Sequence, residues 1–363
     1  MNAVGATGPT AGASTDTAAP EVASPGPDTG PDAWLHHARA VTDPVLRRAV
    51  APLHPRARTI AGYHLGWWDV HGRPVTTGWG KAVRPALVLL SARALGAPPG
   101  TGAQSAAAVQ LAHDSSLLHD DIIDRDEVRR HRPAAWRAFG TAGALLAGDA
   151  MLALAVSLVR RDGASAPATA ALNEAVQQFL GGQFEDIGFE ERATVSLTEC
   201  TAMAARKTGA LLGAACRLGA LAGGADEARA AELAAFGCSL GLAFQHVDDL
   251  LGIWGDPRTT GKPAGADLHA RKKSLPVVIA WESGTSAAGE LAELYARDPS
   301  LDDTETLRRA AHLTERAGGR QRTGELARRH LSEALDRLDG VRLPEADTLP
   351  LRDLASWLVL RDH

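Results

Sequence analysis

Residues 111–133 read LAHDSSLLHDDIIDRDEVRRHRP, a stretch in which acidic residues crowd the end of an apolar helical pattern. Apolar residues recur with a helical period through Ile123, and on such a helix Asp120 and Asp124 lie one turn apart on the same face. Stacked carboxylates repel one another unless a cation lies between them, and hard oxygen ligands around an open volume suit Mg²⁺. Arg129 and Arg130 follow directly and are natural phosphate ligands. The stretch therefore predicts a metal and phosphate site at the end of a helix.

A second acidic helix end lies in residues 241–276, which read GLAFQHVDDLLGIWGDPRTTGKPAGADLHARKKSLP. Asp248 and Asp249 close an amphipathic helix, and a Gly- and Pro-rich loop then carries Lys262 and Lys272. Either acidic pair alone is as readily a solvated helix face. Two such ends, each followed by basic residues, predict opposite walls that clamp metal ions and a polyphosphate.

Composition and charge exclude several classes of function. Of 363 residues, 45% are apolar and 22% charged, as in soluble globular proteins, and the net charge of −5 gives no sign of a nucleic-acid partner. Three widely spaced cysteines argue against a disulfide framework or a zinc site. The cytoplasm is the expected compartment.

The chain divides into a tail and one helical domain. Residues 1–33 have no Lys, Arg or aromatic residue, and their Pro, Gly, Ala, Ser and Thr predict a disordered segment, either dispensable or used to dock onto a partner or protein shell. Residues 34–363 predict an all-α, single-domain bundle with a central active-site cavity. Its helices are expected first near Trp34, with Asp32 as the cap, and then at about 82–95, 103–124, 141–160, 168–188, 197–222 and 226–254. The apolar window 141–159 is expected to be a buried helix rather than a membrane span.

Motifs in the same order along residues 60–363 resemble those of the trans-isoprenyl diphosphate synthases, the polyprenyl synthetase family. They are Gly80-Lys81-Ala82-Val83-Arg84-Pro85, Asp120-Asp121-Ile122-Ile123-Asp124 with Arg129-Arg130, Lys207-Thr208, Phe244-Gln245 with Asp248-Asp249, and Gly261-Lys262-Pro263 with Asp267-Leu268, Lys272 and Leu275-Pro276. Such a resemblance implies the isoprenoid synthase bundle, a homodimer, and Mg²⁺-dependent condensation of isopentenyl diphosphate with an allylic diphosphate.

The resemblance also implies a role for each matching residue. Metal ligands would be Asp120, Asp121, Asp124, Asp248 and Asp249, and these with Lys207 form the expected catalytic set. Contacts to the allylic diphosphate would come from Arg129, Lys207, Lys262 and Lys272. Contacts to the diphosphate of isopentenyl diphosphate would come from Lys81, Arg84, His113 and Arg130. Thr208 and Gln245 would flank the reacting carbons.

Several positions depart from the family pattern, and the largest departure is Gly252, where the second acidic motif expects a third Asp. Asp256 could substitute if the helix continues to it. The spacing of Asp248, Gly252 and Asp256 also resembles the metal triad of class I terpene cyclases, which keeps a cyclase open as an alternative. A non-catalytic scaffold or regulatory subunit is the other. Smaller departures are Trp79, Ala82 and His131.

Product length is expected to depend on the residues just before the first acidic motif. Ser115 and Ser116 are small, as are Ala112 and Val109 a turn or more deeper. One helical turn rises about 5.4 Å, roughly one isoprene unit. Geranylgeranyl diphosphate or a longer product is therefore expected, with the pocket closed by residues of neighbouring helices such as Met151, Leu152 or Phe179.

Overall fold

Helices form almost every element of the computed structural model, which describes residues 24–26, 29–75, 78–162, 166–257, 263–297 and 303–360. The first ten helices are α1 Pro31–Val50, α2 Pro55–His64, α3 Val83–Ala94, α4 Ala103–Ile123, α5 Ala135–Phe139, α6 Thr141–Val159, α7 Ala166–Glu191, α8 Leu197–Ala204, α9 Ala210–Ala222 and α10 Glu227–Trp254. The remaining helices are α11 Ala266–His269, α12 Leu275–Glu282, α13 Ser286–Arg297, α14 Thr304–Arg316, α15 Gly319–Gly340 and α16 Glu345–Leu360. The predicted all-α class is confirmed.

Two long helices, α4 and α10, lie at the centre of the bundle. Helix α4 packs against α6, α3 and α9, and α10 packs against α9 and α15. A run of fully buried alanines, residues 106–108, lets the neighbours of α4 approach closely. Each acidic motif lies at the C-terminal end of one of these helices, and the charges of Asp124 and Asp249 both act on Lys272, so the two motifs lie at the same end of the bundle.

A π-helical segment, Ala205–Gly209, joins α8 to α9 and packs against α7 and α10. Glycines permit this contact, since a Cβ on Gly241 would lie 2.6 Å from Gly209 Cα and one on Gly182 would lie 2.5 Å from the Lys207 nitrogen. π-Segments inside α-helices recur at functional sites. Here the segment carries Lys207 and Thr208.

A short antiparallel hairpin follows α4, and the sequence did not predict it. Strands β1 Val128–Arg129 and β2 Arg132–Pro133 are joined by Arg130 and His131, whose φ values of 51° and 60° are left-handed. Two successive left-handed residues are the mark of a type I′ turn, which glycine usually relieves. His131 therefore adopts the conformation that suits the glycine expected at its position.

The start of one helix differs from the expectations, and the end of another bears on the site. Helix α1 begins at Pro31 with Gly30 as its N-cap, and Asp32 lies in its first turn, where a negative charge suits the helix dipole. Helix α10 ends at Trp254, because Gly255 turns to extended backbone. Asp256 therefore lies beyond the helix, and the condition on which it was expected to take the place of a third motif Asp is not met. The predicted disordered tail comprises residues 1–33, and residues 1–23 and 27–28 of it lie outside the described residues.

Helix α6 is the one described helix that is long and apolar enough to cross a membrane, with a mean hydropathy of 1.9. It packs against α4, α2 and α7 as a core helix. Only 39% of its most apolar window is buried, however. Four large apolar side chains on α6 and α7 are exposed, and we name them the α6–α7 apolar face: Leu145, Leu146, Leu180 and Phe184.

Candidate active site

The first acidic wall is built by Asp120 and Asp124 at the end of α4. Asp124 is the C-cap, and its backbone N–H donates to Asp120 O at 2.8 Å. Burial and the nearby charge of Asp124 raise the pKa of Asp120 to about 6, although Lys207 opposes the shift. The pKa of Asp124 is also raised, first by burial. Two sheltered carboxylates one turn apart would be stabilised by a bound cation, as the sequence predicted.

Asp121, the middle acid of the motif, is turned away from this pair. It is buried, and its Oδ1 accepts a hydrogen bond of 2.9 Å from Arg129 Nε and a second from Arg129 Nη2. Its Oδ2 is buried with no hydrogen-bond partner in the described part of the chain. The arrangement orients Arg129 on the hairpin, and a metal-ligand role for Asp121 stays a prediction.

The second acidic wall lies on α10. Asp248 and Asp249 both line a cavity, and Asp249 is buried and accepts from Gln245 Nε2 at 2.8 Å and from the Leu275 backbone N–H at 3.0 Å. Burial and Asp267 raise the pKa of Asp249 to about 6, while Lys272 and both hydrogen bonds oppose this. Thr208 donates to Gln245, so Thr208, Gln245 and Asp249 form one hydrogen-bonded chain.

Lys272 links the two walls. Burial alone would lower its pKa, but surrounding carboxylates raise it above the ordinary value; they are Asp267, Asp186, Asp249 and Asp124. The ammonium is therefore charged and lies between the end of α4 and the end of α10. Lys262, predicted beside it, lies outside the described residues.

Asp186 on α7 is a site residue that the sequence reasoning missed. Lys207 Nζ lies 2.5 Å from its Oδ2, and Lys207 also acts electrostatically on Asp120 and Asp124. An acidic pair inside a helix, Glu185-Asp186, with no basic segment after it gave no signal of its own. The fold places it with Asp124 and Lys272 in the lining of a cavity of about 980 Å³, which we name the α4–α7 cavity.

A separate cavity of about 680 Å³, the α3–α10 cavity, gathers the residues predicted for the second diphosphate. The residues that the sequence analysis assigned to a site and that line this cavity are Lys81, Arg84, His113, Arg130, Gln245, Asp248, Asp249 and Lys272. Burial lowers the pKa of Arg84 to about 10 despite Asp114 and Asp248. Arg84 Nε is buried with no partner among the described residues, which leaves a donor for an anion. Burial, followed by the charge of Arg84, keeps the pKa of His113 well below its ordinary value, so the imidazole is neutral.

Asp114, beside His113, supports this cavity from within the core. It is fully buried, and Oδ1 accepts from Arg130 Nη2 at 2.9 Å while Oδ2 accepts from Gln110 Nε2 at 2.6 Å. His64 Nε2 lies 3.2 Å from Oδ1. Burial would raise the pKa of Asp114, but Arg130 and His64 outweigh it and lower the pKa. The buried carboxylate therefore fixes Arg130.

The loop before α3 explains two departures from the family pattern. Trp79 is buried, and its Nε1 donates to Asp43 Oδ1 at 3.0 Å. Ala82 is buried with a left-handed φ of 61°, where a long basic side chain would meet the core. The anchored turn presents Lys81, whose Nζ lies 5.9 Å from the Trp357 ring centroid.

Five of the seven residues expected to bear on product length line a small pocket of about 30 Å³. Ala112, Ser115 and Ser116 meet His119, Leu152, Val176, Phe179, Leu180 and Leu211 there. Leu152 and Phe179 are placed as expected. Met151 is fully buried and does not line the pocket, nor does Val109.

The acidic residues fit Mg²⁺ in the way that this ion usually binds. No group of three His, Cys, Asp or Glu side chains in the described ranges could hold a metal alone. Mg²⁺ is commonly bound by one or two carboxylates, with substrate phosphates and water completing the octahedron. Asp120 with Asp124, and Asp248 opposite, supply that kind of donor set beside cavities whose linings include Lys272.

Comparisons with known proteins identify the family of the chain. The family described as Polyprenyl synthetase matches residues 72–312. A (2E,6E)-farnesyl diphosphate synthase of Mycobacterium tuberculosis is 44% identical over 89% of this chain and 91% of its own length. A geranylgeranyl diphosphate synthase of the same species is 43% identical, with coverage of 86% and 90%.

Solved structures give the same result. A polyprenyl synthetase from Streptomyces coelicolor A3(2) has a TM-score of 0.85 and 45% identity, and the match covers 90% of this chain and 99% of that one. A geranylgeranyl pyrophosphate synthase from Corynebacterium glutamicum, solved with isoprenyl diphosphate and magnesium, has a TM-score of 0.74 and 26% identity over 92% and 98%. The chain belongs to the polyprenyl synthetase family and is a prenyltransferase that elongates trans-prenyl diphosphates.

Proposed function

We propose that the protein catalyses the Mg²⁺-dependent 1′-4 condensation of isopentenyl diphosphate with an allylic diphosphate, giving all-trans geranylgeranyl diphosphate or a longer product. The observation that carries the proposal is the presence of two cavities beside one pair of acidic walls, each cavity with lysine and arginine side chains in its lining. The α3–α10 cavity would hold isopentenyl diphosphate, and the α4–α7 cavity the allylic diphosphate. Lys272, Asp267, Pro263 and Ala266 line both.

The allylic C–O bond breaks first, and its electron pair leaves with the diphosphate. Bound Mg²⁺ would neutralise that leaving group as a Lewis acid. Lys207 and Lys272 would stabilise the same developing charge from fixed positions. The four carboxylates around Lys272 hold its ammonium charged for this task.

The second half of the reaction forms the new C–C bond. Arg84, Arg130, Lys81 and neutral His113 would hold the isopentenyl diphosphate so that its double bond attacks the allylic C1. Thr208 and Gln245, hydrogen-bonded together, would flank the cation with oxygen dipoles. The product then loses a proton to the released diphosphate, which serves as the base. Because the attacking group is the double bond, no side-chain nucleophile is required.

The direct test is an incubation of the purified chain with Mg²⁺, isopentenyl diphosphate and each allylic diphosphate, with product length read by chromatography. We expect elongation to geranylgeranyl diphosphate or beyond. A cyclic hydrocarbon from a single substrate would overturn the proposal in favour of a cyclase. Complexes with an active synthase but no product would favour a scaffold.

Product length should change when side chains lining the small pocket beside Ser115 and Ser116 are replaced. Ser115→Phe is expected to shift the product spectrum by at least one isoprene unit towards shorter chains, because the ring would fill the space between α4 and α7. Phe179→Ala, on the facing helix, should lengthen it. Thermal midpoints would confirm that both variants fold. Identical product spectra in both variants would contradict the proposed route for the growing chain.

We also propose a homodimer formed through the α6–α7 apolar face, which exposes 67% of Leu146 and 77% of Phe184. Contiguous exposed apolar surface marks interaction sites, and burying an unpaired charge there is costly. Leu146→Asp with Phe184→Asp should weaken dimerisation at least about 100-fold. Sedimentation velocity would measure this, with exposed Leu360→Asp as the control. Unchanged dimers in the double variant would exclude this face.

A cytoplasmic location remains part of the proposal. Its support is that the three described cysteines are free thiols and that Cys200 and Cys216 are buried.

A further inference from the structure

Two tryptophan side chains from different loops converge on one carboxylate oxygen of helix α1. Asp43 Oδ1 accepts a hydrogen bond of 2.7 Å from Trp67 Nε1 and a second of 3.0 Å from Trp79 Nε1. Asp43 Oδ2 accepts from Arg47 Nε at 2.6 Å, one turn along the same helix. Both tryptophans are buried. The carboxylate therefore ties the segment after α2 and the loop before α3 to α1, and we name this group the Asp43 clamp: Asp43, Trp67 and Trp79.

The loop that is held through Trp79 comprises residues 78–82 and forms part of the α3–α10 cavity. The cavity lining includes four of its residues: Trp79, Gly80, Lys81 and Ala82. Three backbone φ values in the loop are positive, 68° at Gly78, 103° at Gly80 and 61° at Ala82. A non-glycine residue in this region is strained and persists only where its surroundings hold it. The buried indole of Trp79, in the middle of the loop, provides such a hold.

Helix α1 is a firm support for the clamp, because it packs against α3, α4 and α16. It also contacts the Trp79 ring a second time, since the guanidinium of Arg39 lies 5.7 Å from the ring centroid. Lys81 follows Trp79 by two residues, and a long side chain of this kind loses conformational entropy when a ligand orders it. A loop that is fixed in advance lowers the cost of that ordering and so raises affinity without adding a contact.

We propose that Asp43 is a positioning residue for isopentenyl diphosphate: through Trp79 it holds the 78–82 loop so that Lys81 meets the diphosphate in the α3–α10 cavity. The inference rests on the proposed function. Asp43 itself does not line the cavity, so its effect on the substrate passes through the loop. The proposal also gives a role to Trp79, one of the departures from the family pattern.

The test removes each hydrogen bond of the clamp separately. Asp43→Leu removes the acceptor at similar size, and Trp79→Phe removes only the N–H on the loop side. Trp67→Phe is the matched control, because it removes the other N–H from the same oxygen without touching the loop. Asp43→Asn keeps one oxygen for both indoles and is the conservative rescue. Steady-state kinetics with both substrates varied give the two KM values and kcat, and thermal melts give stability.

Asp43→Leu and Trp79→Phe should each raise KM for isopentenyl diphosphate about 3- to 10-fold, the cost of ordering one long side chain on binding. KM for the allylic substrate and kcat should stay within about twofold of wild type, because the Lys81 contact binds ground state and transition state alike. Trp67→Phe should lower the melting temperature as Trp79→Phe does but leave both KM values unchanged. Asp43→Asn should recover most of the affinity.

A double variant shows whether Asp43 acts through Lys81. In a Lys81→Gln background, Asp43→Leu should change KM for isopentenyl diphosphate by less than about twofold, since the effects of residues that act through one another do not add. A full additional 3- to 10-fold rise, about the effect expected in the wild-type background, would overturn the proposed route.

The proposal is also overturned if Asp43→Leu and Trp79→Phe keep the wild-type KM for isopentenyl diphosphate, or if they raise both KM values equally, as a general loss of structure would. The same KM shift in Trp67→Phe would overturn it as well. If Asp43→Leu fails to fold, Trp79→Phe carries the same criteria.

Hydrogen exchange of the Trp79 indole N–H, followed by NMR, separates this proposal from the proposed function. Exchange should be faster in Asp43→Leu than in wild type, and an unchanged rate would mean that Asp43 does not hold the loop. A wild-type chain that forms no product would overturn the proposed function, while the exchange rate would still decide whether the clamp exists.

Discussion

Asp120→Ala is expected to lower kcat about 10²- to 10³-fold, the usual cost of removing one preorganised group that stabilises a developing charge. Asp120 and Asp124 are stacked one turn apart in a sheltered position, and together they offer the carboxylates of the first wall. Without Asp120, Asp124 alone faces the substrate from α4. The Mg²⁺ concentration that gives half-maximal activity should rise as kcat falls.

The same variant should be more stable than wild type when metal is absent. Burial raises the folded-state pKa of Asp120 to about 6, above the unfolded value near 4. The ionised carboxylate therefore destabilises the fold in full above about pH 6, and the penalty is lost between about pH 6 and about pH 4, below which Asp120 is protonated in both states. A thermal melt in EDTA at pH 7.5 would measure the gain.

The control for Asp120→Ala is Glu127→Ala, an exposed residue of the same segment that pairs with Arg137 at 3.5 Å. It should change neither kcat nor stability measurably. An Asp120→Ala enzyme with wild-type kcat would show that the first wall does not act in the reaction. A melting temperature below that of wild type would contradict the electrostatic argument.

Asp114→Asn is expected to destabilise the fold by about 3–5 kcal/mol, the usual result of removing one partner of a buried ion pair. The amide keeps the shape of the carboxylate but not its charge, so Arg130 and Arg84 would repel one another beside His64. Because the partners of Asp114 lower its pKa, its stabilisation is present at neutral pH and is lost only as pH falls below the ordinary aspartate range.

Denaturant unfolding at pH 7 would measure the loss. The comparison is Asp149→Asn, which lies on the surface 3.6 Å from His119 and should change the free energy of unfolding by under about 1 kcal/mol. Equal stabilities of the two variants would mean that Asp114 does not hold Arg130 in place.

The two acidic helix ends and their basic followers could be predicted from sequence because each lies on one element with a helical period. Asp120 and Asp124 need only one helix to meet, and the spacing of four decides it. The separate behaviour of Asp121 and Asp249 could not be predicted in this way. Their neighbours Arg129 and Leu275 come from elements whose docking no local pattern specifies.

The other site residues that were not predicted depend on contacts between residues far apart in the sequence. Asp114 meets His64, fifty residues earlier, and Asp186 meets Lys207 across two helices. Asp43 meets Trp79 across the packing of α1 beside α3. The end of α10 at Trp254 agrees with the predicted helix, and Asp256 lies beyond it because Gly255 is extended.

The central claim is that two cavities hold two different diphosphates, and steady-state kinetics with both substrates varied test it most directly. Lys81→Gln should raise KM for isopentenyl diphosphate about 10- to 100-fold, the equivalent of the 1.5–3 kcal/mol of a hydrogen bond to a charged group, and leave KM for the allylic substrate near wild type. Lys207→Gln should do the reverse. Equal effects of each variant on both KM values would contradict two separate diphosphate sites.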